Sequence, residues 1–454
     1  MYGLNMINFY LSRARFANER LDFISHMKVS SPLLFANLIS STQAFVLLAI
    51  SISLLSHQAI IFTYAASIGL FYTSMVLAVT NPVGYRVSSH VAKKDHRAAL
   101  ITIARAYPYL LILIGILWLA LVYCHAYTIK PISASVDLAV SAQYMKIYWA
   151  DSAILTLSVP LYLLALALKK NLLILMIAIF GAVVTLVYAF YQVFILHAQI
   201  PSLAAASLYG RIVMALAYAI IFLTYLKSVW HDLTVDANRS DEKSKNLFSD
   251  IVDYVSASLA SNGLSLTQAL VLSLTPTILI VNAAVSSVSN IFNSLGLALG
   301  TSGGIALARA NAIGEPYCLE VSEAIKIYAK IFTIIVFLCG LVILIVQLGL
   351  TKYFDGLKLI YISVVTSLIV CTAFFTSYTS KAILRGDARF QKNLTFRFVK
   401  FRAVALVFFY ALTLSDMLTE VVYFSLMLLM AFYYALAISK RIDSGLWVEK
   451  FKRI

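Results

Sequence analysis

The chain has 454 residues, of which 61% are hydrophobic and only 12% charged, and its formal charge is +15. A soluble domain carries about 25% charged residues, so this chain lacks the polar surface to cover itself in water, and its solidly apolar runs exclude the alternating strands of an outer-membrane barrel. Its basic residues recur in short patches between apolar runs rather than on one soluble face, which argues against a nucleic-acid partner and for a multi-span topology.

In lipid every backbone polar group must be satisfied within its own segment, so runs of about 20 apolar residues are helices. Residues 1–30 read as a cytoplasmic N-terminal segment forming an amphipathic helix. They are not a cleavable signal, because Arg13, Arg15, Glu19, Arg20 and Asp22 interrupt any apolar core. Six spans follow near 31–55, 59–84, 106–127, 149–168, 171–196 and 203–226, giving an N-lobe over 31–226. The stretch 227–253, which contains DANRSDEKSKN, is too polar to bury a core and reads as a cytoplasmic linker. A second series runs near 262–283, 285–308, 326–350, 358–382, 396–414 and 418–438, in a C-lobe over 254–440 followed by a cytoplasmic tail, 441–454. The fold class is therefore an all-α polytopic membrane protein, with about twelve transmembrane helices in two six-helix lobes.

An even number of spans returns both termini to one side. Arg13, Arg15, Arg20 and Lys28 precede the first span, and Lys440, Arg441, Lys450, Lys452 and Arg453 follow the last. The remaining patches fall in alternate loops: Arg86, Lys93, Lys94 and Arg97; Lys169 and Lys170; Lys243 and Lys245; Lys326 and Lys330; Arg385, Arg389, Lys392 and Arg397. Basic loops face the cytoplasm, so both termini are expected there, in a multi-pass membrane protein. The lobes also resemble each other. SSHVAKKDHRAAL answers to LARANAIGEPYCLEVSEA after each second span, and LALALKKN to KAILRGDARF after each fourth. Parallel repeats of this kind place a substrate path between the lobes.

The chemistry-bearing residues are few. The four cysteines have no metal-ligand or CxxC spacing, the seven histidines form no HxxE or HExxH pattern, and there is no Walker A sequence. No enzyme activity, resident cofactor or direct use of ATP is expected. Asp151, at the head of the fourth span, is the acid nearest the membrane interior, and intramembrane ionisable groups are functional candidates because they are costly. Arg211, inside the sixth span, cannot be deprotonated; it must face a polar cavity, pair, or snorkel, and an anionic substrate group or lipid phosphate would suit it. Neutral polar residues gather in the first span of each lobe, Asn37 and Gln43 in one and Gln268 and Asn282 in the other. They line a cavity or join helices by interhelical hydrogen bonds. Tyr188, like Tyr72 and Tyr378, offers a ring to a flat cation.

Four segments carry a resemblance: SPLLFANLIS opening the first span, VPLYLLALALKK in the fourth, LGLALGTSGGIALARANAIGEP ending the eighth and AILRGDARFQKN after the tenth. In order and spacing they resemble the multidrug and toxic compound extrusion (MATE) family over most of the chain, from Ser31 to about Lys440. The resemblance implies an antiporter of the inner (plasma) membrane that expels small organic, often cationic, compounds against Na⁺ or H⁺ entry, and a monomer is expected. The alternative, within the wider superfamily, is a flippase for a lipid-linked oligosaccharide or polysaccharide precursor. The chain departs from the family where carboxylates are common: Leu47 and Phe374 stand near two of those positions, and the fifth and seventh spans hold no acid.

Overall fold

The structure is a computed structural model that describes residues 15–16, 19–20, 23–54, 59–123, 137–235, 245–272, nearly all of 295–309, parts of 325–338, 388–413 and parts of 429–440. The chain divides into two compact units, one of Ser31–Ile251 and one of Met1–Ser30 with Val252–Ile454. The first is described almost throughout.

The expected N-terminal amphipathic helix is corrected at its described residues. Arg15–Phe16 (β1) pairs antiparallel with Glu19–Arg20 (β2), Arg15 opposite Arg20 and Phe16 opposite Glu19. The alternation of Arg15, Phe16, Glu19 and Arg20 suits a two-stranded turn as well as a helix face, and the first long helix opens only afterwards, at Phe23.

Six long helices then follow: α1 (Phe23–Leu54), α2 (Ala59–Ala92), α3 (His96–Trp118), α4 (Leu138–Ala167), α5 (Asn171–Phe190) and α6 (Pro201–Val235). Helices α1, α2, α3, α4 and α6 are longer than the apolar cores read from the sequence, whereas α5, with the turn that follows it, ends within a residue of its run. The extra turns are polar but well capped: Asp95 accepts from the Ala98 N–H at 3.0 Å, and Asp137 from the Ala139 N–H at 2.8 Å. Such caps satisfy N–H groups that a helix start leaves without partners. Helices α3 and α5 each end in a π-helical turn, Leu119–Tyr123 and Tyr191–Ile195. Among the described residues, four helices are long and apolar enough to cross a membrane: His96–Tyr123, Leu138–Ala167, Asn171–Ile195 and Pro201–Trp230. Helix α7 (Lys245–Leu272) begins inside the stretch read as a linker, and α6 runs into it as far as Val235.

The turns α2–α3 and α4–α5 are built alike. Lys94 (φ 58°) and Lys169 (φ 59°) are left-handed residues that stop the preceding helices. In each turn the left-handed residue bonds back three positions and the next residue five: Lys94 to Val91 and Asp95 to His90, Lys169 to Leu166 and Lys170 to Ala165. This is the Schellman arrangement, made twice from AKKD and LKKN. Lysine at these positions also meets the negative end of the helix dipole.

Cross-helix contacts fix the directions. Tyr107 Oη donates to the Leu157 carbonyl at 3.3 Å and Trp149 Nε1 to the Ile114 carbonyl at 3.1 Å, so α3 runs antiparallel to α4. Tyr72 Oη meets Thr156 Oγ1 at 2.6 Å while Gly84 lies against Leu163, so α2 runs parallel to α4. These are the directions that consecutive membrane crossings require. The Tyr72–Thr156 bond is buried, and Thr156 Oγ1 also donates to the Ser152 carbonyl at 2.7 Å. Replacing Tyr72 by Phe removes one bond of a hydroxyl that keeps another. The expected loss is about 1 kcal/mol, read as a lower thermal midpoint of the purified protein.

The packing is inside-out relative to a soluble bundle. In α5, Leu172, Leu173, Met176, Ile179, Phe180, Val183, Val187 and Phe190 are exposed, a single apolar stripe at helical spacing. The opposite face, with Ala178, Gly181, Ala182, Thr185 and Ala189, is buried and small. Small inward faces and large apolar outward ones are what lipid-embedded helices show. Trp118, Tyr123, Tyr191 and Phe194 are exposed at the ends of α3 and α5, as in an aromatic interface belt. The opposite end carries Lys93, Lys94, Lys169 and Lys170, and Arg86 is paired there with Asp250 at 2.8 Å.

In the second unit the residues 298–309 are helical, and the buried Ser302 Oγ lies 2.7 Å from Ser30 Oγ. Helix α8 (Ala388–Thr413) is tied to α7 by Lys392, whose Nζ donates to Asp253 Oδ1 at 2.8 Å.

Candidate functional site

Helix α4 is the inner helix of the first unit. Along one face it presents Tyr144, Tyr148, Asp151 and Ser152, the i, i+4, i+7 and i+8 positions of a 3.6-residue period. Tyr144 is among the largest fully buried side chains of the described residues and stacks on Tyr148, ring centroids 6.0 Å apart. The Tyr148 hydroxyl lies over Gly69 of α2, where a Cβ would occupy its place. Glycine is needed there for close approach.

Helix α6 approaches α5 just as closely. A Cβ at Gly210 would meet Thr185 Oγ1 and would lie 2.7 Å from the Gly181 carbonyl oxygen; one at Gly181 would meet the Met214 side chain at 2.6 Å. With Gly210 turned to α5, the next residue points about 100° further round the helix. Arg211 thereby faces α4, and its Nε lies 3.6 Å from Asp151 Oδ1.

This pair is the centre of the site. Asp151 is 7% exposed, whereas the Arg211 side chain keeps 30% of its surface. Asp151 Oδ1 is sealed from solvent and, among the described residues, accepts no hydrogen bond. At 3.6 Å the contact is an ion pair rather than a hydrogen bond. Tyr148 and Tyr218 lie within electrostatic range of Arg211. Tyr218 is itself buried and packs edge-on against Tyr162, centroids 5.8 Å apart. The result is a neutral pair of opposite charges in a wall of tyrosines, deep in an apolar bundle. A buried pair of this kind holds together because the attraction between its partners offsets the cost of taking both charges out of water.

The other candidates are placed as follows. Asn37 and Gln43 lie on α1, both half-buried. Tyr188 is on α5, half-exposed, with its ring 4.8 Å from that of Tyr209. Gln268 lies on α7, and its side chain, like all of Asn282, is outside the described residues. Leu47, near a position where the resemblance implies a carboxylate, is buried at 4% exposure; Phe374 lies outside the described residues. The structure therefore brings together Asp151 and Arg211, singled out separately in the sequence, and adds Tyr144, Tyr148 and Tyr218. The signal for these tyrosines is their spacing: four and eight residues separate Tyr144 from Tyr148 and Ser152, and seven separate Arg211 from Tyr218.

No protein-family model matches the chain, and no curated protein matches it. Solved structures do. The eukaryotic MATE transporter AtDTX14 superposes with a TM-score of 0.74 at 12% identity, covering 95% of this chain and 98% of its own. A substituted form of the Vibrio cholerae MATE transporter VcmN gives 0.72 at 13% identity, over 93% and 97%. An outward-facing multidrug resistance MATE family transporter of the MOP superfamily gives 0.68 at 13% identity, over 92% and 95%. The chain has the MATE fold. That fold is a twelve-helix, two-lobed bundle, so the architecture expected from the apolar runs is the one the chain adopts. At such low identity the MATE fold transfers backbone and not side chains, and the Asp151–Arg211 pair is a feature of this chain's own sequence.

Proposed function

We propose that the chain is a transporter of the MATE type. It sits in the inner membrane as a monomer with both termini in the cytoplasm, and expels small organic compounds, often cationic, by alternating access coupled to H⁺ or Na⁺ entry. The observation that carries this reading is the match to MATE transporter structures over nearly the whole chain, with TM-scores of 0.74 and 0.72 for two of them. The basic turns at Lys93–Lys94 and Lys169–Lys170 share one end of the first unit, and that end is the cytoplasmic one by the positive-inside rule. A charged pair inside the bundle supports a polar path through it, since intramembrane charges are costly and commonly mark substrate or ion pathways.

Cells expressing the protein should retain less of at least one dye from a panel of organic dyes that includes ethidium. Collapsing the proton gradient, or removing Na⁺, should restore retention. Unchanged retention of every dye under both gradients overturns the exporter reading. Arg211 specifically favours a second reading, a flippase for a lipid-linked oligosaccharide or polysaccharide precursor, because such cargo carries phosphate. A defect in surface glycan on deletion, without any change in dye retention, would select it.

A further inference from the structure

Arg211 stands ten residues after Pro201, the first residue of α6. At 1.5 Å per residue that is about 15 Å along the helix, roughly halfway through a hydrocarbon core about 30 Å thick. Snorkelling along the stem to either surface is a poor account of a side chain at that depth which faces α4 and meets a carboxylate. Its guanidinium has five N–H donors. Among the described residues its charged neighbour is Asp151, at 3.6 Å from Nε and beyond hydrogen-bond reach. The carboxylate oxygen it faces accepts no hydrogen bond there either. Among the described residues, charge is balanced but hydrogen bonding is not.

The contact is made through Nε, which leaves the edge formed by the two Nη groups without an acceptor among the described residues, on a side chain that keeps 30% of its surface. A planar fork of N–H donors is the geometry that grips a carboxylate or phosphate through two parallel hydrogen bonds. Asp151 compensates the charge of the guanidinium, which favours its persistence at this depth. Tyr148 and Tyr218 lie within electrostatic range of it.

We propose that Arg211, held by its counter-ion Asp151, seats the oxyanion of the transported molecule, so that the cargo includes amphiphiles bearing a carboxylate or phosphate. This rests on the transporter reading and names its substrate class. A ligand of this kind satisfies donors that find no acceptor among the described residues, and an otherwise identical ester cannot do so as well.

The test uses the full-length protein in phosphatidylcholine nanodiscs and two fluorescent probes, a rhodamine carboxylic acid and its methyl ester, with binding followed by fluorescence anisotropy. The wild type should bind the acid about tenfold more tightly than the ester, the scale of one charge-assisted bidentate contact. Arg211→Gln alone strands the buried Asp151, so the informative variant is the charge-neutral double, Asp151→Asn with Arg211→Gln. There the acid should lose its advantage while the ester's affinity moves far less. Arg211→Lys, a charge without the fork, should keep only part of the preference. Adding phosphatidylglycerol to the discs separates the sources: competition with the acid assigns the same seat to a lipid headgroup as well, and lack of competition assigns it to the solute. An acid that binds no better than its ester in the wild type overturns the proposal, as does a preference that survives in the double variant; ester binding then leaves the transporter reading standing. Binding of neither dye counts against both.

Discussion

Replacing Arg211 by Gln lowers the stability of the folded protein by roughly 3 kcal/mol, Asp151→Asn lowers it by somewhat less, and the double variant returns to within about 1 kcal/mol of the wild type. The order follows from burial. The Asp151 side chain keeps only 10% of its surface and Arg211 keeps 30%, so removing the arginine abandons the more deeply enclosed charge. Removing the aspartate leaves a less enclosed guanidinium on a long, flexible stem that can turn toward other polar groups, and that freedom reduces the loss. Removing both takes away the two desolvation costs together with the attraction that offset them. Thermal unfolding of the four proteins in one detergent measures this. The sum of the single losses should exceed the double loss by more than about 1 kcal/mol, the coupling expected of contacting residues. Simple additivity would mean that the 3.6 Å approach carries no energy.

That the two residues form a pair was not legible in the sequence, although each was visible alone. Asp151 stood out as the acid nearest the membrane interior and Arg211 as a charge inside an apolar run. Their meeting depends on how closely α6 can approach α5, which is set by Gly181 and Gly210. Nothing in a glycine's identity says which backbone it will touch. The apolar runs themselves were informative, because the lipid-facing stripe of α5 must be apolar at every turn. Helix ends were less so. The fourth span was expected to open near residue 149, whereas α4 begins at Leu138. The intervening Gln143, Tyr144, Lys146 and Tyr148 lower the hydropathy of the run, yet Tyr144 is buried inside the unit. Polar atoms that find partners or enclosed surroundings within a bundle look like loop residues in sequence. The π-helical turns ending α3 and α5 have no sequence mark at all. The N-terminal segment shows the converse: its mixture of aromatic and charged residues satisfied a helical pattern, while Arg15–Phe16 and Glu19–Arg20 pair as strands.

Gly210→Leu tests the geometry on which the site depends, and its expected effect is loss of most of the folded, extractable protein. Even the first added carbon would lie 2.7 Å from the Gly181 carbonyl oxygen and would occupy the place of Thr185 Oγ1. The oxygen belongs to backbone, so α5 and α6 must separate rather than a side chain swing aside. Forcing extra atoms into a packed contact costs about 1–3 kcal/mol when neighbours can adjust, and a leucine against a helix backbone lies at or above the upper end. Gly181→Ala makes the discriminating comparison. Its added carbon meets Met214 Cγ and Sδ at 2.6 and 2.7 Å, part of a flexible thioether side chain that can move, so its loss should stay near 1 kcal/mol. A separation of α5 from α6 also shifts Arg211, one residue beyond Gly210, relative to Asp151. Any Gly210 variant that does fold should therefore show a weaker Asp151–Arg211 coupling in the same double-mutant cycle, and Gly181→Ala should not. Equal losses at the two glycines, with the coupling unchanged, would mean that this crossing does not place the arginine.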